Sequence, residues 1–257
     1  MCLLIVLSGV VPTLPLVVAA NRDERVDRPA TAMTVLGAGG PRILGGRDEL
    51  AGGTWLAVNA QGVVAGLTNR PSAAGRDPTL RSRGELPLAL AHQASAERAA
   101  EVALSWRPAE YNPAWLMVAD RRAAFYIDLS GDKTEVRQLP SGVHILENRA
   151  ITDQSPKVDR VRRLLEAAQP FEAEGLRQRL GEVLADHVTP PPADGPTENQ
   201  RPAATEAACV HLEVYGTRSS EIVTVPSSSS ELPSIWYTDG PPCVSEYADA
   251  AELWSPA

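Results

Sequence analysis

A chain of 257 residues with 44% hydrophobic side chains has enough apolar material for one sizeable core. Its formal charge of −8 argues against nucleic acid or an anionic membrane surface as the main partner, since either calls for a basic face. The three cysteines, Cys2, Cys209 and Cys243, are odd in number and irregularly spaced, which excludes a disulfide framework or a CxxC zinc site and fits a reducing cytoplasm.

Residues 1–21 carry no charged side chain. A secretory signal would open with positive charge, which is absent. A spanning helix of ~20 residues would contain Gly9, Pro12 and Pro15, and interior prolines break helices. The run therefore reads as two strands joined by a turn within 8–15, the first apolar on both faces, as suits a strand covered on both sides. Apolar pieces recur at 32–36, 54–58 and 63–67, the last two joined through Asn59-Ala60-Gln61-Gly62 as a hairpin. Gly37-Ala38-Gly39-Gly40 precedes Pro41 and a strand, not a helix, so it is a poor phosphate loop.

Over 85–106 the period becomes helical, with a break near Ser95. The pieces 114–119 and 123–129 flank Asp120-Arg121-Arg122 as a second hairpin, and a strand follows at 143–146. Ser155 as N-cap with Pro156 at the first helical position opens a helix that carries Val158, Val161, Leu164 and Leu165 on one face. Leu176, Leu180, Val183 and Leu184 mark another. A Pro-rich surface loop occupies 189–202, strands resume at 209–214 and 221–225, and an irregular tail from about 226 holds one strand near 235–238. The whole reads as a single domain. None of the four histidines has metal-ligand spacing, so structural roles are expected for them and no metal site is expected.

The chemistry-bearing residue is Cys2. Once Met1 is removed, it carries a thiol titrating near about 8.5 beside an α-amine titrating near about 7.7–8.0. Such an amine serves as general base for its own side-chain nucleophile. Asn21-Arg22-Asp23-Glu24 follows the second apolar run directly. Then come Gly46-Arg47-Asp48, Ala51-Gly52-Gly53-Thr54-Trp55-Leu56, Gly66-Leu67-Thr68-Asn69-Arg70, Ser82-Arg83-Gly84, Asn148 and Tyr215-Gly216-Thr217-Arg218-Ser219-Ser220. Taken in this order behind Cys2, the set reaches to about residue 225. It resembles the NRDE family, also called the Transport and Golgi organisation protein 2 family.

That family is similar to the cysteine branch of the N-terminal nucleophile (Ntn) hydrolases, which includes bile-salt and penicillin amidases. The resemblance implies an α/β fold, a four-layer α/β/β/α sandwich of two mostly antiparallel sheets with helices outside. It also implies a site in which Asp23 positions the amine of Cys2, Asn69 helps form the oxyanion hole, Asn148 lies near the nucleophile and Arg218 adds positive charge. Two departures stand out. The arginine that the amidases carry in the second strand is Ala20 here, and their other active-site arginine has no clear counterpart after Ile235. Losing the first removes a group that would lower a thiol pKa. Trp55 beside Gly52-Gly53 reads as core or pocket wall.

Two functions follow. The first is an amidohydrolase or acyltransferase that uses Cys2 on a small amide and needs no cofactor. The second is a non-enzymatic carrier of haem or an acyl ligand in the same cleft, with Cys2, His144 or His211 as candidate iron ligands. The absence of CxxCH excludes only covalent haem attachment.

Overall fold

The apolar run that opens the chain is a pair of antiparallel strands. In the computed structural model, which describes residues 3–37, 40–72, 75–169, 171–191 and 202–255, β1 (Leu3–Val11) pairs with β2 (Leu14–Arg25) across a turn at Pro12-Thr13. Side chains alternate across a strand. Leu16, Val18 and Ala20 of β2 therefore join one hydrophobic cluster, and Val17 and Ala19 the other.

The chain next lays down β3 (Ala30–Leu36), β4 (Ile43–Asp48), β5 (Leu56–Asn59) and β6 (Val64–Asn69). Two helices follow, α1 (Glu85–Ala91) and α2 (Ala96–Ala103), the second capped by Ser95, whose side chain accepts from the Arg98 amide. Then come β7 (Ala114–Ala119), β8 (Ala124–Leu129), β9 (Glu135–Leu139) and β10 (Gly142–Leu146). The Ser155-Pro156 signal opens α3 (Pro156–Ala167) as its sequence demands, with the Ser155 hydroxyl accepting from the Val158 amide, and α4 (Leu176–Leu184) follows. The last strands are β11 (Tyr215–Val225), β12 (Ser234–Thr238) and β13 (Ala248–Asp249).

Two antiparallel sheets result, in the orders β10-β1-β2-β11-β12-β13 and β3-β4-β5-β6-β7-β8-β9. Between them lies one core built on Leu4, Val6, Leu44, Leu56, Met117 and Val223. Helices α3 and α4 cover the first sheet over Leu3, Ile5, Val161, Leu165 and Leu180. Helices α1 and α2 cover the second over Leu86, Leu90, Ala99 and Leu116. This is the four-layer α/β/β/α sandwich. Each fully buried leucine or valine contributes about 1.5–3 kcal/mol, so the three clusters together carry the fold. No helix among the described residues is long and apolar enough to cross a membrane.

Two expectations are corrected. Residues 209–214 do not form a strand. Only His211 bridges Gly216, while the Cys209 amide donates to the Asp186 carbonyl and the Thr217 amide to the Val210 carbonyl, folding the segment back on β11. The strand expected at 221–225 instead runs unbroken from Tyr215, because its polar first half pairs with the equally polar end of β2. Strand β9 gives no clear apolar alternation, since it is largely exposed at a sheet edge.

Candidate active site

The polar end of β2 is buried, and alternation sends its side chains to opposite faces. Asn21 and Asp23 face the helix layer. The Asn21 Nδ2 donates to the carbonyls of Leu184 and Ala208, each at 2.8 Å. Asp23 Oδ1 accepts from Thr217 Oγ1 at 2.6 Å, and its Oδ2 lies 3.8 Å from Lys157 Nζ, both side chains being fully buried. Burial pushes the Asp23 carboxyl above the usual carboxylate range, with Lys157 and Thr217 opposing it. Lys157 stands where the Ser155-Pro156 helix start puts it. It also acts on Glu147, which accepts from Ser155 Oγ at 2.6 Å and pairs with Arg149. Burial alone would raise the Glu147 carboxyl, but Lys157, Arg149 and Ser155 outweigh it and hold the group below its ordinary range.

Arg22 points the other way, between the sheets. Its guanidinium stands 4.4 Å from the Trp55 ring centre, and its buried Nη2 has no hydrogen-bond partner among the described residues. Beneath them, Trp55 Nε1 donates to Glu221 Oε1 at 3.0 Å, and Ser219 Oγ donates to the same oxygen at 3.1 Å. Burial pushes the Glu221 carboxyl up to about 7 against the pull of Trp55, Ser219 and Arg22. The glycines of the sequence motifs make room for this packing. A Cβ on Gly46 would fall 1.9 Å from the Trp55 ring, and one on Gly53 would fall 2.5 Å from the Gly84 backbone. Asp48 accepts from the Leu50 and Ala51 amides and from Arg28, closing the turn at the cavity rim.

A cavity of about 310 Å³ opens at this end of the sandwich. It is lined by Asp23 and Asn69 together with Arg22, Trp55 and the 81–84 segment. Asn148 lies behind it, its Nδ2 donating to the Asn69 backbone carbonyl. The structure thus brings Asp23, Asn69 and Asn148 to one place. Arg218 is the extra residue of a bulge in β11 between Thr217 and Ser219, and it does not line this cavity. Cys2 lies outside the described residues; Leu3, next in the chain, pairs with Asn21. His144 contacts the Pro140 carbonyl and His211 two thiols, and neither lines the cavity.

Arg22, Lys157, Glu147 and Glu221 were not singled out from sequence as site residues. For Arg22 the signal was available: positions 20 and 22 of a strand share a face, so the guanidinium missing at Ala20 is offered two residues later. For Lys157 the signal was its rarity, as one of only two lysines in an arginine-rich chain.

Known proteins are similar to this chain in sequence and in fold. The "Transport and Golgi organization 2 homolog" of Mus musculus is 29% identical over 231 residues, 82% of each chain. The Bos taurus homolog is 30% identical over 234 residues, again 82% of each. Among solved structures, a variant of the conjugated bile acid hydrolase from Clostridium perfringens superposes with a TM-score of 0.58 at 12% identity, covering 100% of this chain and 95% of that one. The N-acylethanolamine-hydrolyzing acid amidase ortholog of Caenorhabditis elegans superposes with a TM-score of 0.57 at 13% identity, covering 90% and 97%. At those identities the likeness establishes the Ntn-hydrolase fold. The sequence model of the family described as Transport and Golgi organisation 2 matches residues 1–232, and the chain belongs to that family.

Proposed function

We propose that this chain is an Ntn-type amidohydrolase whose small amide substrate carries a negatively charged group. The supporting observation is Arg22, a buried guanidinium that lines the same cavity as Asp23 and Asn69 and whose Nη2 has no hydrogen-bond partner among the described residues. Cys2, made N-terminal by removal of Met1, attacks the amide carbonyl while its own amine takes the thiol proton and returns it to the leaving nitrogen. The C–N bond breaks and a thioester remains. Water then attacks it, releasing the acid and restoring the thiol; an acyltransferase would deliver the same acyl group to another acceptor.

Asp23, held by Thr217 and Lys157, orients the amine, and Asn69 donates to the oxyanion. Six arginines line the cavity, but Arg25, Arg28 and Arg81 are already ion-paired, with Asp27, with Asp48, and with Glu85 and Glu110 respectively, so the preference for a carboxylate- or sulfonate-bearing amide rests on Arg22. The two solved neighbours, by their names, hydrolyse conjugated bile acids and N-acylethanolamines, both amides. Of the candidate iron ligands for the haem alternative, His144 and His211 lie away from this cavity, and Cys2 lies outside the described residues.

The test is amine release from N-acyl amino acids and N-acylethanolamides by full-length protein whose loss of Met1 is verified by intact mass. Acyl amino acids should be preferred, Cys2→Ala should abolish turnover, and Asn69→Ala should lower kcat by about 10²–10³. Undiminished turnover by Cys2→Ala rejects the mechanism. An Arg22→Met variant with an unchanged KM for the acidic substrates rejects the substrate class.

A further inference from the structure

Away from the cavity, four side chains that are scattered in sequence converge. His187 follows α4, Cys209 and His211 lie in the segment before β11, and Cys243 follows β12. One donor atom from each lies within 4.8 Å of all the others. Cys209 Sγ is 3.9 Å from Cys243 Sγ and 3.5 Å from His211 Nε2, and His211 Nε2 is 3.3 Å from Cys243 Sγ. A tetrahedral zinc ion with bonds of about 2.3 Å to sulfur and 2.0–2.1 Å to nitrogen sets S–S edges near 3.8 Å and S–N edges near 3.6 Å. All three measured edges fall within about 0.3 Å of those values.

His187 carries a further mark. Its Nδ1 lies 3.3 Å from the Cys209 carbonyl, which can only accept, so the proton belongs on Nδ1 and the Nε2 lone pair is free. A ligating histidine commonly donates its other ring N–H to a backbone carbonyl in this way.

We propose that His187, Cys209, His211 and Cys243 form a structural site for one zinc ion. The two thiols lose their protons on binding, and two thiolates with two neutral imidazoles balance the ion's charge. The mixed sulfur–nitrogen set selects zinc over magnesium or calcium, which prefer oxygen. The ion staples three segments that support the end of β2. The Val210 amide donates to Thr217 Oγ1, which itself donates to Asp23, and the carbonyls of Leu184 and Ala208 hold Asn21. The metal site therefore positions Asp23 without touching it.

The test uses full-length protein purified without chelator or polyhistidine tag, with metal measured after dialysis and cobalt(II) as the optical probe. One zinc per chain is expected. Cobalt should give the intense visible bands of tetrahedral coordination with thiolate charge transfer. Cys243→Ser and His187→Ala should each weaken zinc affinity by at least tenfold, and chelation should lower the unfolding midpoint of the parent but not of the variants. Because Cys209 is buried, these two more exposed ligands are the ones to change. Substoichiometric zinc after zinc-supplemented expression, an octahedral cobalt spectrum, or variants that retain parental affinity would overturn the site. So would a Cys209–Cys243 disulfide that still forms in protein prepared under reducing conditions.

Discussion

Replacing Glu221 by glutamine should flatten the pH dependence of stability between about pH 5 and pH 8. The carboxyl is fully buried, accepts from Trp55 and Ser219, and has its pKa raised from 4.5 to about 7. At low pH the folded and unfolded chains both hold the proton, so the group costs nothing. As pH rises the unfolded chain ionises first, and stability falls until the pH passes the folded value. A difference of that size costs roughly 3 kcal/mol once both states are ionised, most of it accrued between about pH 5 and pH 8. Glutamine retains an acceptor oxygen for both donors and cannot ionise. Urea unfolding followed by circular dichroism at a series of pH values measures the effect. The difference in stability, variant minus parent, should grow by roughly 2–3 kcal/mol across the window, whatever its constant offset. Parallel curves would mean that Glu221 is already ionised at pH 5, and that Arg22 rather than burial governs it.

Two further substitutions probe the same region. Lys157→Met removes the buried cation that faces Asp23 and Glu147, and stranding those carboxylates should cost about 3–5 kcal/mol. Adding Asp23→Asn to that variant should recover part of the loss in urea unfolding, and no recovery would sever the proposed coupling. Gly46→Ala forces the Trp55 ring to move, breaking its bond to Glu221 and its contact with Arg22. A loss of about 1–3 kcal/mol with altered tryptophan emission is expected, and an unperturbed variant would refute the close packing.

Much of the fold was legible because its elements announce themselves locally. The uncharged opening run could not be one helix with Pro12 and Pro15 inside it, and Ser155-Pro156 can hardly do other than start a helix. The ordered motifs behind Cys2 identified the family, and with it the sandwich. Residues 209–214 were misread because β-forming composition says nothing about partners. The register of β11 on β2, set by polar pairs such as Thr217 with Asp23, decides where the strand begins. Asp23 and Asn69 could be placed at a common cavity only by analogy, whereas the bulge that turns β11 at Arg218 has no sequence signature at all. Burial and convergence are properties of the assembled layers. Lys157 beneath Asp23, Glu221 beneath Trp55, and His187 beside Cys209, His211 and Cys243 are brought together from segments 22 to more than 160 residues apart. Local sequence thus determined most of the strands and helices and the family they belong to, while only the tertiary structure decided where β11 begins and which charges and donor atoms share a dry, crowded space, because proximity across layers is set by packing and not by spacing along the chain.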